Sequence, residues 1–343
     1  MEARFKKHVL NFKRPSGTSR GVLRQKESYF IELRKGTHVG IGECGLLRGL
    51  SIDDVPEYED RLTAVCTALT QEKDTMALCE DFPSIRMGVE MALRSLDSKT
   101  PFLLFPSNFS TGKEPIPING LVWMGTFDFM REQVFKKIEA GFDCIKLKIG
   151  ALDFDKECTL LADIRARYPA EKLTIRVDAN GAFAPDEALS KLQTLAAFDI
   201  HSIEQPIAAG QQSAHAKLCA TTPIPIALDE ELIGVKSLKA KAALLDTIKT
   251  QFIILKPSLL GGFAASESWI RLAEERNIGW WVTSALESNI GLNAIAQWCA
   301  TLNTSTPQGL GTGGLFTNNI NSPLVVEQGV LRYDNTLNWE YPF

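Results

Sequence analysis

Between residues 116 and 310, eight short apolar stretches alternate with helical patterns. The strand candidates are 118–122, 144–149, 174–178, 202–204, 226–229, 252–256, 279–284 and 308–310, with helices such as 129–140, 154–167, 185–197 and 264–276 between them. In 185–197, Pro185 suits a first helical turn, and Leu189, Leu192 and Leu195 build one face. Parallel strands need a crossover about as long as a helix. Eight such units in sequence predict an α/β fold, a parallel barrel of TIM type, with a doubly wound open sheet as the architectural alternative.

The first 115 residues read differently. Residues 28–33 and 38–44 flank a Lys35-Gly36 turn, a hairpin signal, and 55–69 and 84–96 carry apolar residues at helical spacing. Pro101, Pro106, Pro115 and Pro117 then punctuate a connection. The expected organisation is an α+β module over 1–115, the barrel over 116–315, and a short β-like tail over 316–343 that returns to the module.

Reactive groups of a parallel barrel sit at the C-terminal ends of its strands. Those ends carry Lys146 and Lys148, Asp178, Glu204, Asp229 with Glu230, and Lys256. From Lys148 to Lys256 the steps are 25 to 30 residues, one strand–helix unit each, so the charges converge. Alternate residues of a strand share a face, which turns Lys146 and Lys148 together into the barrel. Taken alone, a polar edge strand is the plainer reading. Two buried ammonium groups need compensation, and three inward carboxylates supply it. Asp178, Glu204 and Asp229 offer oxygen alone, a donor set that suits Mg²⁺ (or Mn²⁺), and without a cation they would repel one another. Asn180 points the same way as Asp178 and supports metal or ligand. Arg176 lies deeper on that face, as a site residue or as a buried partner of a carboxylate. Glu230 cannot face as its neighbour Asp229 does. Lysines on both sides of a metal suit proton abstraction next to a carboxylate, with one lysine made neutral by burial and nearby cations.

Composition points to the same small-molecule chemistry. The chain is 45% hydrophobic and 23% charged with a net charge of −4, and no Lys/Arg block is dense enough to track phosphates. Nucleic acid and membrane surfaces are not expected partners; a small carboxylate substrate is. No apolar run approaches the ~18 residues of a spanning helix. Residues 1–7 are charged and lack a signal-peptide core, so a cytoplasmic location is expected. The seven cysteines are scattered without a CxxC pair, and the four histidines have no metal-ligand spacing, so neither disulfides nor zinc is expected. Residues 309–314 match GxGxxG by letters, but no βαβ unit frames them.

The Lys-x-Lys strand, Arg176–Asn180 (Arg-Val-Asp-Ala-Asn), Ile203–Pro206 (Ile-Glu-Gln-Pro), Leu228–Glu230 (Leu-Asp-Glu) and Leu255–Pro257 (Leu-Lys-Pro) resemble the enolase superfamily, muconate-lactonizing subgroup. The likeness spans nearly the whole chain. Stretches 17–21, 40–44 with 49–51, 284–291 and 309–313 narrow it to a dehydrating branch. The resemblance implies a (β/α)₇β barrel with an α+β capping domain built from the N-terminal part and the C-terminal tail. It implies Mg²⁺ on Asp178, Glu204 and Asp229, Lys148 as base and Lys256 opposite it as a cation. It also implies that Ser284, Ser288, Gly311 and Thr312 receive the substrate's tail, and that Arg20, Gly49 and Ser51 belong to a lid. Glu287 is left as a pocket wall or a salt-bridge member. Racemisation or epimerisation on the same scaffold is the rival activity.

Overall fold

The computed structural model describes residues 1–18, 21–98, 100–150, 152–302 and 304–343. Three antiparallel strands open the chain, β1 (Glu2–Thr18), β2 (Gly21–Lys35) and β3 (His38–Cys44), in that spatial order. No strand was expected at β1. Its exposed Glu2, Arg4 and Lys6 alternate with half-buried Ala3 and Phe5, the pattern of a strand with one wet face, although the charges read as a polar terminus.

Helices α1 (Tyr58–Thr70) and α2 (Pro83–Leu96) cover this sheet. Pro83 sits in the first turn of α2, and Ile85, Val89, Ala92 and Leu96 are buried against Tyr29, Ile31 and Leu33. The approach of α2 to β3 is close enough to require glycine. A Cβ on Gly42 would stand 1.9 Å from the Gly88 carbonyl oxygen, and one on Gly40 would stand 2.1 Å from that of Ala92.

After β4 (Ile116–Pro117) the alternation begins: β5 (Gly120–Val122), α3 (Phe127–Glu139), β6 (Cys144–Lys148), α4 (Phe154–Arg167), β7 (Thr174–Asp178), α5 (Pro185–Leu195), β8 (Ser202–Glu204), α6 (Gln212–Thr221), β9 (Ile226–Leu228), α7 (Leu238–Ile248) and β10 (Phe252–Leu255). A short α8 (Pro257–Leu260), α9 (Phe263–Glu274), β11 (Gly279–Val282) and α10 (Asn289–Cys299) complete it. Strands β5 to β11 form one parallel sheet in chain order. The eighth strand expected at 308–310 is reduced to two parallel bridges, Gln308 with Ile118 and Gly309 with Thr283. Those bridges still join the two edges of the sheet, which leaves a TIM-like (β/α)₇β ring. The tail forms β12 (Leu324–Glu327) and β13 (Val330–Tyr333), and β13 pairs with β4. It also reaches the N-terminal sheet, where the Lys6 ammonium donates to the Pro342 carbonyl at 2.9 Å and the Thr317 amide to that of Asn11 at 2.8 Å. Among the described residues no helix is long and apolar enough to cross a membrane.

The glycine contact is testable. Gly42→Ala must push α2 off β3 and should cost about 1–3 kcal/mol, the usual range for overpacking. Thermal unfolding should show a lowered midpoint; an unchanged midpoint would mean that the cap packs differently.

Candidate active site

Strand register sets the site. In the β6–β7 pair Lys146 lies opposite Arg176 and Lys148 opposite Asp178, and in the β7–β8 pair Asp178 lies opposite Glu204. Asp229 and Lys256 are the first residues past β9 and β10. The Lys148 ammonium donates to Asp178 Oδ2 at 2.5 Å and to Asn180 Oδ1 at 2.8 Å. Lys146 donates to the Glu204 carboxylate and lies 2.8 Å from Asp178 Oδ2. Lys256 donates to Asp229, and its Nζ is 3.9 Å from Glu204 Oε1. All six charged side chains are buried.

Their environments differ. Burial pushes Lys148 down, and the Lys146 and Lys256 ammoniums add to that against the pull of Asp178. Burial acts on Lys256 too, but Asp229 and Glu204 outweigh it and hold its proton more firmly than usual. Asp178 is kept well below the ordinary carboxylate range despite burial, because two ammoniums touch it. Burial, then Asp178, push Glu204 up to about 8. Glu204 Oε1 is buried with no hydrogen-bond donor among the described residues. Each carboxylate is drawn to an ammonium, and among the described residues no three acidic, histidine or cysteine side chains gather around one point as a metal would gather them.

A pocket of about 90 Å³ opens over these lysines. Its walls are mostly apolar: Leu23, Leu47 and Leu50 come from the N-terminal module, and Leu121, Trp123 and Leu286 from the barrel. Larger clefts elsewhere, of about 440 and 680 Å³, contain none of the strand-end charges. Chemistry, rather than size, locates the site.

Residues 130–336 match the enolase C-terminal domain-like family. The chain is 47% identical to an o-succinylbenzoate synthase of Desulfotalea psychrophila, over 96% of this chain and 98% of that one. The crystal structure of MenC from Desulfotalea psychrophila superposes with a TM-score of 0.87 at 44% identity, covering 97% of this chain and 99% of that one. An N-succinylamino acid racemase of Amycolatopsis is 25% identical over 92% of this chain and 88% of that one. The chain belongs to the o-succinylbenzoate synthase family of the enolase superfamily.

In this o-succinylbenzoate synthase family member Ser284, Gly311 and Thr312 line the pocket beside the lysines, with Ser284 Oγ and Thr312 Oγ1 2.6 Å apart. Several other expectations are corrected. Glu287 and Ser288 do not line it; they are buried in the seam between the module and the barrel, where hydrogen bonds turn their oxygens away. Gly49 and Ser51 shape their own turn, the Gly49 amide donating to Asp54 Oδ2 at 2.8 Å and the Leu47 amide to Ser51 Oγ at 2.9 Å. The apolar Leu47 and Leu50 of that turn meet the pocket instead. Arg176 is neither a pocket residue nor hydrogen-bonded to a carboxylate. It donates through Nη1 to the Pro307 carbonyl at 2.8 Å and lies 4.0 Å over the Trp281 ring beneath the site, while its buried Nε has no hydrogen-bond partner among the described residues. Glu230 accepts from Asn180 Nδ2 at 3.1 Å. Arg20 lies outside the described residues.

Some site residues escaped the sequence reading. Leu121 on β5 and Trp123 just past its end alternate as the lysines do along β6, so the same parity argument would have found them. Gln205 accepts from the Asp229 and Glu231 amides through Oε1 at 3.1 and 3.3 Å, and so shapes the turn after β9. Its backbone is left-handed, with φ 41°, which no local pattern announces.

The charge balance predicts a stability effect. Lys146→Met leaves Asp178 and Glu204 facing each other with one cation fewer and should cost about 3–5 kcal/mol, as breaking a buried pair does. Denaturant titration should show this loss. An unchanged midpoint would mean that Lys146 does not compensate the carboxylates.

Proposed function

We propose that this protein is an o-succinylbenzoate synthase, a hydro-lyase that converts 2-succinyl-6-hydroxy-2,4-cyclohexadiene-1-carboxylate into 2-succinylbenzoate and water in menaquinone biosynthesis. One observation carries the reading: the 47% identity to an o-succinylbenzoate synthase over nearly the whole of both chains. The racemase rival rests on weaker likeness, 25% over comparable coverage.

The residues present fit a divalent cation. Asp178, Glu204 and Asp229 are buried oxygen donors on three neighbouring strand ends, and Glu204 Oε1 has no hydrogen-bond donor among the described residues. They would hold Mg²⁺, or Mn²⁺ in its place. When bound, the ion would accept the substrate carboxylate and stabilise the charge that develops on it as the adjacent C–H bond breaks.

Lys148 acts as the base. Burial and two neighbouring ammoniums favour its neutral form, and Asn180 Oδ1 orients its Nζ. It takes the proton alpha to the carboxylate; the electron pair left behind expels the hydroxyl at the neighbouring ring carbon. Lys148 returns the proton to that hydroxyl, so water leaves and the ring becomes aromatic. Lys256, whose proton is held by Asp229 and Glu204, stays charged and offsets the negative charge of the intermediate. Lys146 keeps Asp178 and Glu204 compensated. Apolar walls exclude water, and Ser284 and Thr312 offer hydroxyls to the succinyl carboxylate.

Loss of the cyclohexadiene absorbance follows the reaction. Exhaustive chelation should abolish turnover and Mg²⁺ or Mn²⁺ restore it; full turnover after chelation would remove the metal from the reading. Asp229→Asn should weaken Mg²⁺ binding, measured by calorimetry, far more than Glu230→Gln, and the reverse order would identify the wrong neighbour as ligand.

The lysines separate the two activities. Lys148→Ala should lower kcat by about 10²–10⁴, the usual contribution of a general base. Lys256→Arg keeps the cation but supplies no usable base. It should retain dehydration and lose any racemisation of an N-succinylamino acid, read as deuterium incorporation from D₂O. A wild type that racemises that compound faster than it dehydrates the cyclohexadiene would replace the proposed activity with the rival one.

A further inference from the structure

A second buried charge cluster lies in the seam between the N-terminal module and the barrel, outside the reaction described above. Glu43, at the end of β3, reaches the first turn of α10. Its Oε1 accepts from Ser28 Oγ at 2.7 Å and the Ser288 amide at 2.9 Å; its Oε2 accepts from Ser288 Oγ at 2.5 Å and the Gly291 amide at 2.8 Å. Four donors on one carboxylate, two of them backbone amides at a helix start, make a firm clamp. A Cβ on Gly291 would lie 3.0 Å from Glu43 Oε2, so glycine there leaves the carboxylate its room.

Two further contacts carry the clamp to the pocket. Glu287 accepts from Ser258 Oγ at 2.6 Å, two residues past Lys256, and from the Ala285 amide at 2.7 Å. The buried Lys26 donates to Ser28 Oγ at 3.0 Å and supplies positive charge to both Glu43 and Glu287. Between these fixed points stands Leu286, a pocket-lining residue whose φ is +63°. A leucine in the left-handed region is strained and persists only where its surroundings over-determine it. Its side chain belongs to one buried apolar cluster with Leu10 and Phe12 of β1 and Trp123 of the barrel.

We infer that Glu43 is a positioning residue for the reaction: by clamping the start of α10 to the N-terminal module, it holds Leu286 in its strained backbone against the pocket, so that seating the cap and building the apolar wall for the substrate are one event. The inference rests on the assignment of this pocket to the substrate. Glu43 touches no reacting atom. Loss of the clamp therefore loosens substrate binding more than it slows proton transfer, and appears in KM rather than kcat.

Steady-state dehydration by the full chain with Mg²⁺ tests this. Glu43→Gln, which puts an amide where one carboxylate oxygen accepts, should raise KM by about tenfold and change kcat by less than about threefold. Glu43→Asp, with the charge kept, should recover part of the loss. Leu286→Ala should raise KM in the wild type and add much less on the Glu43→Gln background, because the two changes disable the same wall. A fall in kcat at unchanged KM, or an equal factor for Leu286→Ala on both backgrounds, would overturn the inference. Should Glu43→Gln fail to fold, Ser288→Ala removes a single donor to Glu43 and is read by the same criteria. If the wild type does not turn over the cyclohexadiene, the proposed activity fails by itself; the Kd for 2-succinylbenzoate then replaces KM, and the inference falls if the variants bind it as the wild type does or the wild type does not bind it.

Discussion

Three ammonium groups and three carboxylates packed at one end of a barrel are the constraint around which this protein is organised. None of the six tolerates burial alone, since an unpaired buried charge costs several kcal/mol. Together Lys146, Lys148, Lys256, Asp178, Glu204 and Asp229 balance one another's charge, but only while five consecutive strands keep their register. A one-residue slip of β7 would turn Asp178 out of the barrel and leave Lys148 without its carboxylate. The two bridges of residues 308 and 309 are small by count, yet they join the edges of the sheet into a ring.

The pocket above the charges is made by two parts of the chain. The floor belongs to the barrel; Leu23, Leu47 and Leu50 of the opposite wall arrive from the N-terminal module. Such a wall is only as precise as the docking of one part on the other. A purely apolar contact can slide, whereas Glu43 on the α10 amides fixes direction as well as distance. The same seam holds Leu286 in a conformation it would not keep in isolation. Backbone strain, buried charge and pocket shape meet at one loop.

How much of this could be read in advance follows from how local each signal is. The charges at strand ends were legible because a parallel barrel repeats the same geometry in every unit, so spacing alone brings Lys148, Asp178, Glu204, Asp229 and Lys256 together. The N-terminal strand β1 was missed although its alternation is present, because Arg4, Lys6 and Lys7 read as a solvated end. The resemblance gave Ser288 to the substrate's tail and left Glu287 as a pocket wall or a salt-bridge member, but the chain bends at Leu286 and carries both into the seam. Gly49 and Ser51 lie in a loop that closes on itself, where the polar atoms serve the turn and Leu47 and Leu50 are left to face the cavity.

The amino-acid order by itself determined the alternating architecture, the inward face of each barrel strand and the set of charges that share a site, because period-2 side-chain direction and a repeat of 25 to 30 residues are properties of the chain. It also carried the family membership, through motifs that sit on those strand ends. Only the tertiary structure decided that Arg176 stacks on Trp281 beneath the site, that Glu43 crosses from the sheet to a helix start 245 residues away, and that Leu286 is held left-handed over the lysines. Each of these depends on two distant segments meeting at a particular angle, and contacts of that kind have no periodicity for a sequence to display.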